Sequence, residues 1–389
     1  MSKNETRRIP QIPAPDQTEH EIRRSGPDVR FILLGAGLVL LLLMILFLLL
    51  FVRLGSGAPK GPFRYRREET VNYPLQEGSA FAAHRGGIIT AAGDGFAMYD
   101  EEGKLLGSVR HTYETPLLLS GGKLAALCDA GGSRLSMLDA AGRLVMDLET
   151  DGTLLDASLS SEDALCYAEL LPGYKTVLTV YDQKQNQIYR WYSASRYMNS
   201  CAVSGDAKYL CAAAMDGEDG DFRTTAVFFE TDLDAPLTEV PLGDQLIWEL
   251  QFVDDRTVCA IGECSAVFLT TEGNTLGQYD YGGQMITDYS LDGDGFTALI
   301  LNKYQAGNSS ALVLLDDAGM LLGERYIGEE ILSVSAAGGF CAVQTPDHLY
   351  VYDKSLQLCA AQEAAASVIF PNGAAVLVQD GECFRCVPE

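Results

Sequence analysis

From about residue 70 to the end of the chain, short apolar runs alternate with polar turns at a nearly constant interval. The segments MYDEEGKLLGSV (98–109), MLDAAGRLVMDL (137–148), VYDQKQNQIYRW (180–191), FLTTEGNTLGQY (268–279), LLDDAGMLLGER (314–325) and VYDKSLQLCAAQ (351–362) share one plan. Each is an apolar strand end, a polar turn that usually holds Asp and Gly, and a second apolar stretch, the pattern of a β-hairpin. FFETDLDAPLTEV (228–240) is a looser seventh copy. The turn positions Asp100, Asp139, Asp182, Glu230, Thr270, Asp316 and Asp353 are 39, 43, 48, 40, 46 and 37 residues apart.

Upstream of each hairpin stands another pair of apolar runs split by Gly or Asp, as in LLLSGGKLAALC (117–128), ASLSSEDALCYAEL (157–170), CAVSGDAKYLCAAA (201–214) and ILSVSAAGGFCAV (331–343). Two inner strands and a hairpin make four strands per repeat, and a period near 40 with no helical stretch predicts a β-propeller. The last unit, SVIFPNGAAVLVQDGECFRCV (367–387), lacks an outermost strand, which TVNYPL (70–75) can supply. The fold class is therefore all-β, a propeller of eight four-stranded blades closed by the two chain ends. Seven blades is the alternative if 201–240 is irregular. Closure of this kind covers sheet edges that would otherwise invite aggregation.

The N-terminal portion has a different pattern. Phe31 to Val52 is a run of 22 residues with no charge, long enough to cross a hydrocarbon core as a helix. It is too long for a signal peptide, and it is apolar all round. The expected organisation is a polar tail over 1–30, a transmembrane helix over 31–52, a basic Gly/Pro linker over 53–69 and the propeller over 70–389. No ionisable residue lies in the span, so it reads as an anchor in the lipid bilayer.

Charge sharpens this picture. Residues 68–389 hold 17 basic and 48 acidic residues, whereas 53–67 hold five basic and no acidic ones. The acidic domain disfavours nucleic acid and favours cationic partners or divalent ions. Five Lys/Arg follow the span within 15 residues and three precede it, which by itself leans toward a cytoplasmic domain. A short tail, one span and one large downstream domain is the layout of a single-pass, signal-anchored protein of the cell membrane. The expected orientation is tail in the cytoplasm and propeller outside.

With these repeats and this anchor, the chain resembles a family of uncharacterised bacterial single-pass membrane proteins with a C-terminal propeller-like domain. More distantly, the repeats resemble quinoprotein-like and WD-repeat propellers. The chain departs from both of these: no blade carries paired Gly-His and Trp-Asp dipeptides, and its only tryptophans are Trp191 and Trp248. The resemblance thus implies a non-enzymatic scaffold or sensor, with no cofactor.

Site chemistry is sparse. No GxSxG, HExxH, GxxxxGK[ST] or GxGxxG occurs, so no catalytic residue is assigned. His84, His111 and His348 are the domain's histidines and are widely spaced. Asp216, Glu218, Asp219 and Asp221 form an acidic loop, a calcium candidate that lacks the downstream Glu of an EF-hand and reads better as a solvated hairpin tip. Asp292 and Asp294 form a second acidic turn. Arg64, Arg66 and Arg67 lie 12 to 15 residues beyond the span and form a membrane-proximal basic cluster, either a lipid contact or a stop-transfer flank. Of the ten cysteines, Cys166, Cys211, Cys259 and Cys341 recur at one strand position and read as buried small hydrophobes. Cys383 and Cys386, three apart on a strand, point to opposite faces.

The expected function is a membrane-anchored, non-enzymatic binding or scaffold module for a protein, peptide or cell-envelope ligand. The alternatives are an assembly factor recruited through its span and a hydrolase or lyase acting on glycans at the propeller axis.

Overall fold

The computed structural model describes residues 61–389, except 76–78, 93–94, 219–220 and 303–309. The predicted span lies outside the described residues, and among those that are described no helix is long and apolar enough to cross a membrane. Eight antiparallel sheets of four strands each form the eight blades, and the unit at 201–240 is regular. The innermost strands of blades 1 to 8 are Ala80–His84, Pro116–Ser120, Thr153–Leu159, Tyr197–Val203, Ile247–Phe252, Met285–Gly293, Ser333–Ala337 and Ala366–Ile369.

Eight apolar clusters lie between successive blades, one at each interface. Ile89, Phe96 and Met98 of blade 1 meet Leu127 and Leu138 of blade 2, and Val376 and Cys383 of blade 8 meet Ile88 of blade 1. Neighbouring side chains on one strand thus serve opposite interfaces. This explains why the second strand of a blade is a continuous apolar run, such as Thr257–Gly262, buried at every position. Outermost strands such as Leu144–Glu149 have one face open and are half-exposed.

The hairpin turns have a common construction. Asp139 accepts the N–H groups of Ala141 and Arg143, both at 2.9 Å, and Asp100, Asp182, Asp316 and Asp353 each accept the same pair of N–H groups in their own turns. Three residues on, the backbone turns left-handed, at Gly142 with φ +75° and even at Gln185 with φ +62°. A one-residue register shift follows in each of these blades, as at Met137/Leu138. This is the three-residue hairpin with a glycine bulge.

Closure differs from the sequence expectation in its register. The outermost strand of blade 8 is Tyr65–Asn72, paired with Glu382–Pro388 from Tyr65↔Pro388 onward. It starts five residues before the expected TVNYPL, so residues 65–69 are strand rather than linker. The cause is side-chain fit: Arg67 lies 3.9 Å above the Phe384 ring and pairs with Glu382 at 2.6 Å, and Arg66 reaches Glu389 at 3.9 Å. The backbone of Arg64 also exchanges hydrogen bonds with Glu389. The basic cluster therefore takes part in ring closure.

Candidate functional site: the axial channel

The edges of the innermost strands surround a central cavity of 1320 Å³. We call the side of the ring on which these strands begin the upper side. The Asp turns lie on the lower side.

In blades 3 to 6 the innermost strand carries a β-bulge at an equivalent position, between Leu154 and Asp156, Met198 and Ser200, Ile247 and Glu249, and Ile286 and Asp288. The innermost strands of blades 1, 2, 7 and 8 pair without a shift. A bulge re-aims side chains, and here it turns a polar residue toward the next blade. Asp156 accepts the Cys201 N–H at 2.9 Å, Ser200 the Leu250 N–H at 3.1 Å and Asp288 the Val334 N–H at 2.6 Å. Ser290 likewise accepts from Ala336. These bonds cap N–H groups that have no partner strand at the axis. Glu249, one methylene longer than Asp, accepts no N–H of the next blade among the described residues, and Tyr289 of blade 6 lies beside it in the cavity wall.

Burial sets the electrostatics of the channel. It pushes the Asp156 carboxyl up to about 6, although the N–H of Cys201 pulls the other way. It pushes Glu249 up to about 7, with the nearby Tyr289 hydroxyl pulling the other way, and it raises Asp288 and Asp292. Asp292 lines the cavity and is solvent-accessible. Asp156, Glu249, Asp254, Asp255 and Asp292 line the cavity, with Arg85 as the one Lys or Arg among the lining residues. His84 also lines it, bonded through Nδ1 to Ser120 at 3.0 Å, and burial lowers it to about 4, so the imidazole is neutral.

On the upper side, Trp248 and Leu332 line the mouth and are 39% and 50% exposed. Met285 and Tyr197 continue the rim, and the Tyr174 and Tyr192 rings stand 4.8 Å apart beyond it. The Lys175 ammonium is held by the Tyr197 hydroxyl at 2.9 Å.

Residues singled out from sequence are scattered relative to this channel. Asp216 lies on a long hairpin opposite Arg223, and Glu218 faces Asp221 at its end. The side chains of Glu218 and Asp221, and Asp219 altogether, lie outside what the structure describes, and no group of three metal-ligating side chains occurs among the described residues. The histidines do not converge, since only His84 reaches the cavity. Nine cysteines are buried and Cys264 is exposed. Cys383 and Cys386 do serve opposite interfaces, but Cys166 and Cys201 of adjacent blades bring their sulfurs to 3.6 Å, a contact that positional equivalence alone did not reveal. Asp292 was visible as an acidic turn. Glu249, Asp156 and Tyr289 were not; the one trace of the first two in the sequence is the recurrent apolar-x-polar start LLD, MNS, IWE, ITD.

An eight-bladed ring of four-stranded sheets around an axial cavity, its last blade completed by the N-terminal strand, defines a β-propeller. The chain belongs to a family of unknown function, DUF5711, whose family pattern matches residues 64–369. None of the curated proteins compared with it is a match. Among solved structures it is similar to the C-terminal WD40 domain of Sif2, at 12% identity and a TM-score of 0.58 over 84% of this chain and 99% of that one. It is also similar to BamB from Moraxella catarrhalis, at 13% identity and a TM-score of 0.52 over 83% and 99% of the two chains. The β-propeller domain of Cps50 (Swd1) from Myceliophteria thermophila aligns at 10% identity and a TM-score of 0.51 over 74% and 96%. At these identities the likeness is one of fold.

Proposed function

We propose that the chain is a membrane-anchored, non-enzymatic propeller that binds a protein, peptide or cell-envelope ligand, with Phe31 to Val52 as its tether. The observation that carries this reading is the upper channel mouth, where Trp248 and Leu332 are exposed above a carboxylate-lined cavity. Several polar side chains of the innermost strands serve the ring itself, since Asp156, Ser200, Asp288 and Ser290 hold the next blade. That favours binding over chemistry. The propeller is placed outside the cell and the tail inside.

Partner capture from cells, with crosslinking, tests the reading. It compares the full chain with a version whose residues 31–52 are replaced by an unrelated span. Partners retained by the swapped version support the propeller as the binder; their loss would favour an assembly factor recruited through the span. Cys264, exposed among buried thiols, reports orientation. A membrane-impermeant maleimide should label it in intact cells, and labelling only after lysis would overturn the outside placement.

A second reading has one observation in its favour. Glu249 and Asp292 are neighbouring raised carboxyls in a channel, a pattern seen in acid–base sites. Release of sugars or unsaturated products from cell-wall glycans, abolished by Glu249→Gln, would favour an axial hydrolase or lyase.

A further inference from the structure

The polar floor and aromatic rim of blades 3 to 6 are more specific than a generic binding surface. Resting on the binding-module reading, we propose that this arc docks a basic peptide segment of a partner protein, with a Lys or Arg side chain seated at the channel mouth between Trp248 and Glu249.

Three independent features converge there. The first is the run of four bulged innermost strands, confined to blades 3 to 6, in which the bulge places Trp248 at the mouth and Glu249 beside it. The second is the break in the clasp pattern. Asp156, Ser200 and Asp288 each take a backbone N–H of the next blade, whereas Glu249 at the equivalent position takes none among the described residues and lines the cavity beside Tyr289. A carboxylate has about four acceptor sites, so this one keeps capacity for an incoming donor. The third is charge. Of the five carboxylates that line the cavity, Glu249 and Asp156 lie on the upper and middle parts of their strands and Asp254, Asp255 and Asp292 toward the lower end, where the single lining guanidinium, Arg85, donates to the Gly122 carbonyl at 2.9 Å.

The rim suits the same ligand. An exposed indole beside a carboxylate attracts a cation through its ring face as well as through charge. The Tyr197 ring is already occupied by Lys175 at 4.4 Å, which leaves Trp248 as the cation's seat, with Met285 and the Tyr174–Tyr192 pair for apolar parts of the peptide. Asp151, Asp244 and Glu330 are set in the connections around this arc, and Asp280 ends a strand there; together they extend the negative field beyond the mouth. An anionic lipid or nucleic acid would meet repulsion at every one of these positions.

The test uses the full chain in detergent micelles and a fluorescein-labelled oligo-arginine peptide, with oligo-glutamate as control. Anisotropy is read at physiological ionic strength, where the screening length of about 8 Å suppresses the bulk field. Trp248→Ala and Glu249→Gln should each weaken binding about fivefold, and Glu102→Gln, an equal charge change at an exposed lower-side turn, by less than about twofold. Oligo-glutamate should not bind. Equal effects of Glu249→Gln and Glu102→Gln, or no saturable binding, would overturn the proposal. Trp248→Ala leaves the clasps untouched, so it decides the matter even if another variant folds poorly. Failure here combined with retained partners in the span-swapped chain would sink the basic segment alone; loss of those partners as well would sink the binding module with it.

Discussion

Replacing Glu249 by Gln should make the propeller more stable at pH 8 and leave it unchanged at pH 4. Burial raises this carboxyl from 4.5 to about 7, so the folded state holds its proton more tightly than the unfolded chain does. Stability from that proton is complete below pH 4.5 and is lost as pH rises through 7. The difference of about 2.5 units at 1.36 kcal/mol each corresponds to roughly 3 kcal/mol of destabilisation at pH 8. Gln is neutral at all pH and close in shape. For a domain of this size the gain corresponds to about 4 °C in Tm. Thermal unfolding of the two full-length proteins, followed by circular dichroism at pH 4, 6 and 8, reads it out. Asp156 and Asp292 face the same channel and also titrate upward, but they do so in both proteins, so the difference curve isolates Glu249. A variant equally stable at pH 8, or less stable, would refute the claim that a charged Glu249 is held in the channel at a cost.

Three further outcomes follow from packing. Gly107→Ala should destabilise by about 2 kcal/mol, because a Cβ there would overlap the Gly142 carbonyl of the next blade; an unchanged Tm would contradict that approach. Arg385→Gln should cost about 2 kcal/mol in denaturant unfolding, since this buried guanidinium pairs with Glu68 of the closing strand at 3.3 Å and ties blade 8 to Glu101, at 3.9 Å, and the Gly86 carbonyl of blade 1. A midpoint matching the unaltered chain would show that closure rests on the strand pairing alone. Treatment with diamide, a two-electron oxidant, should join Cys166 to Cys201, the thiol pair in contact across blades 3 and 4, with loss of two hydrogens seen by non-reducing peptide mapping. Recovery of both thiols free after prolonged treatment would refute a reactive contact.

Different parts of this molecule were written in the sequence with different clarity. The turns at Asp139 and Asp316 were legible because an Asp that accepts two N–H groups and a Gly at positive φ are local requirements. The blade count followed from their spacing. The closing strand was placed late because Arg66 and Arg67 look like linker residues, and only their distant partners Glu389 and Glu382 make them strand. The channel was illegible for a related reason. Trp248 and Glu249 come from blade 5 and Tyr289 from blade 6, and the apolar-x-polar start that accompanies each bulge does not by itself bring these blades together. The Cys166–Cys201 contact joins different strand positions of adjacent blades, which a comparison of equivalent positions does not reveal.

Photocrosslinking in living cells bears most directly on the upper channel mouth as the binding surface. A benzophenone amino acid replaces either Trp248, at that mouth, or Glu102, on the lower side. A discrete higher-mass adduct from position 248 and none from position 102 is the predicted result. An adduct from 102 alone, or none from 248, would contradict it.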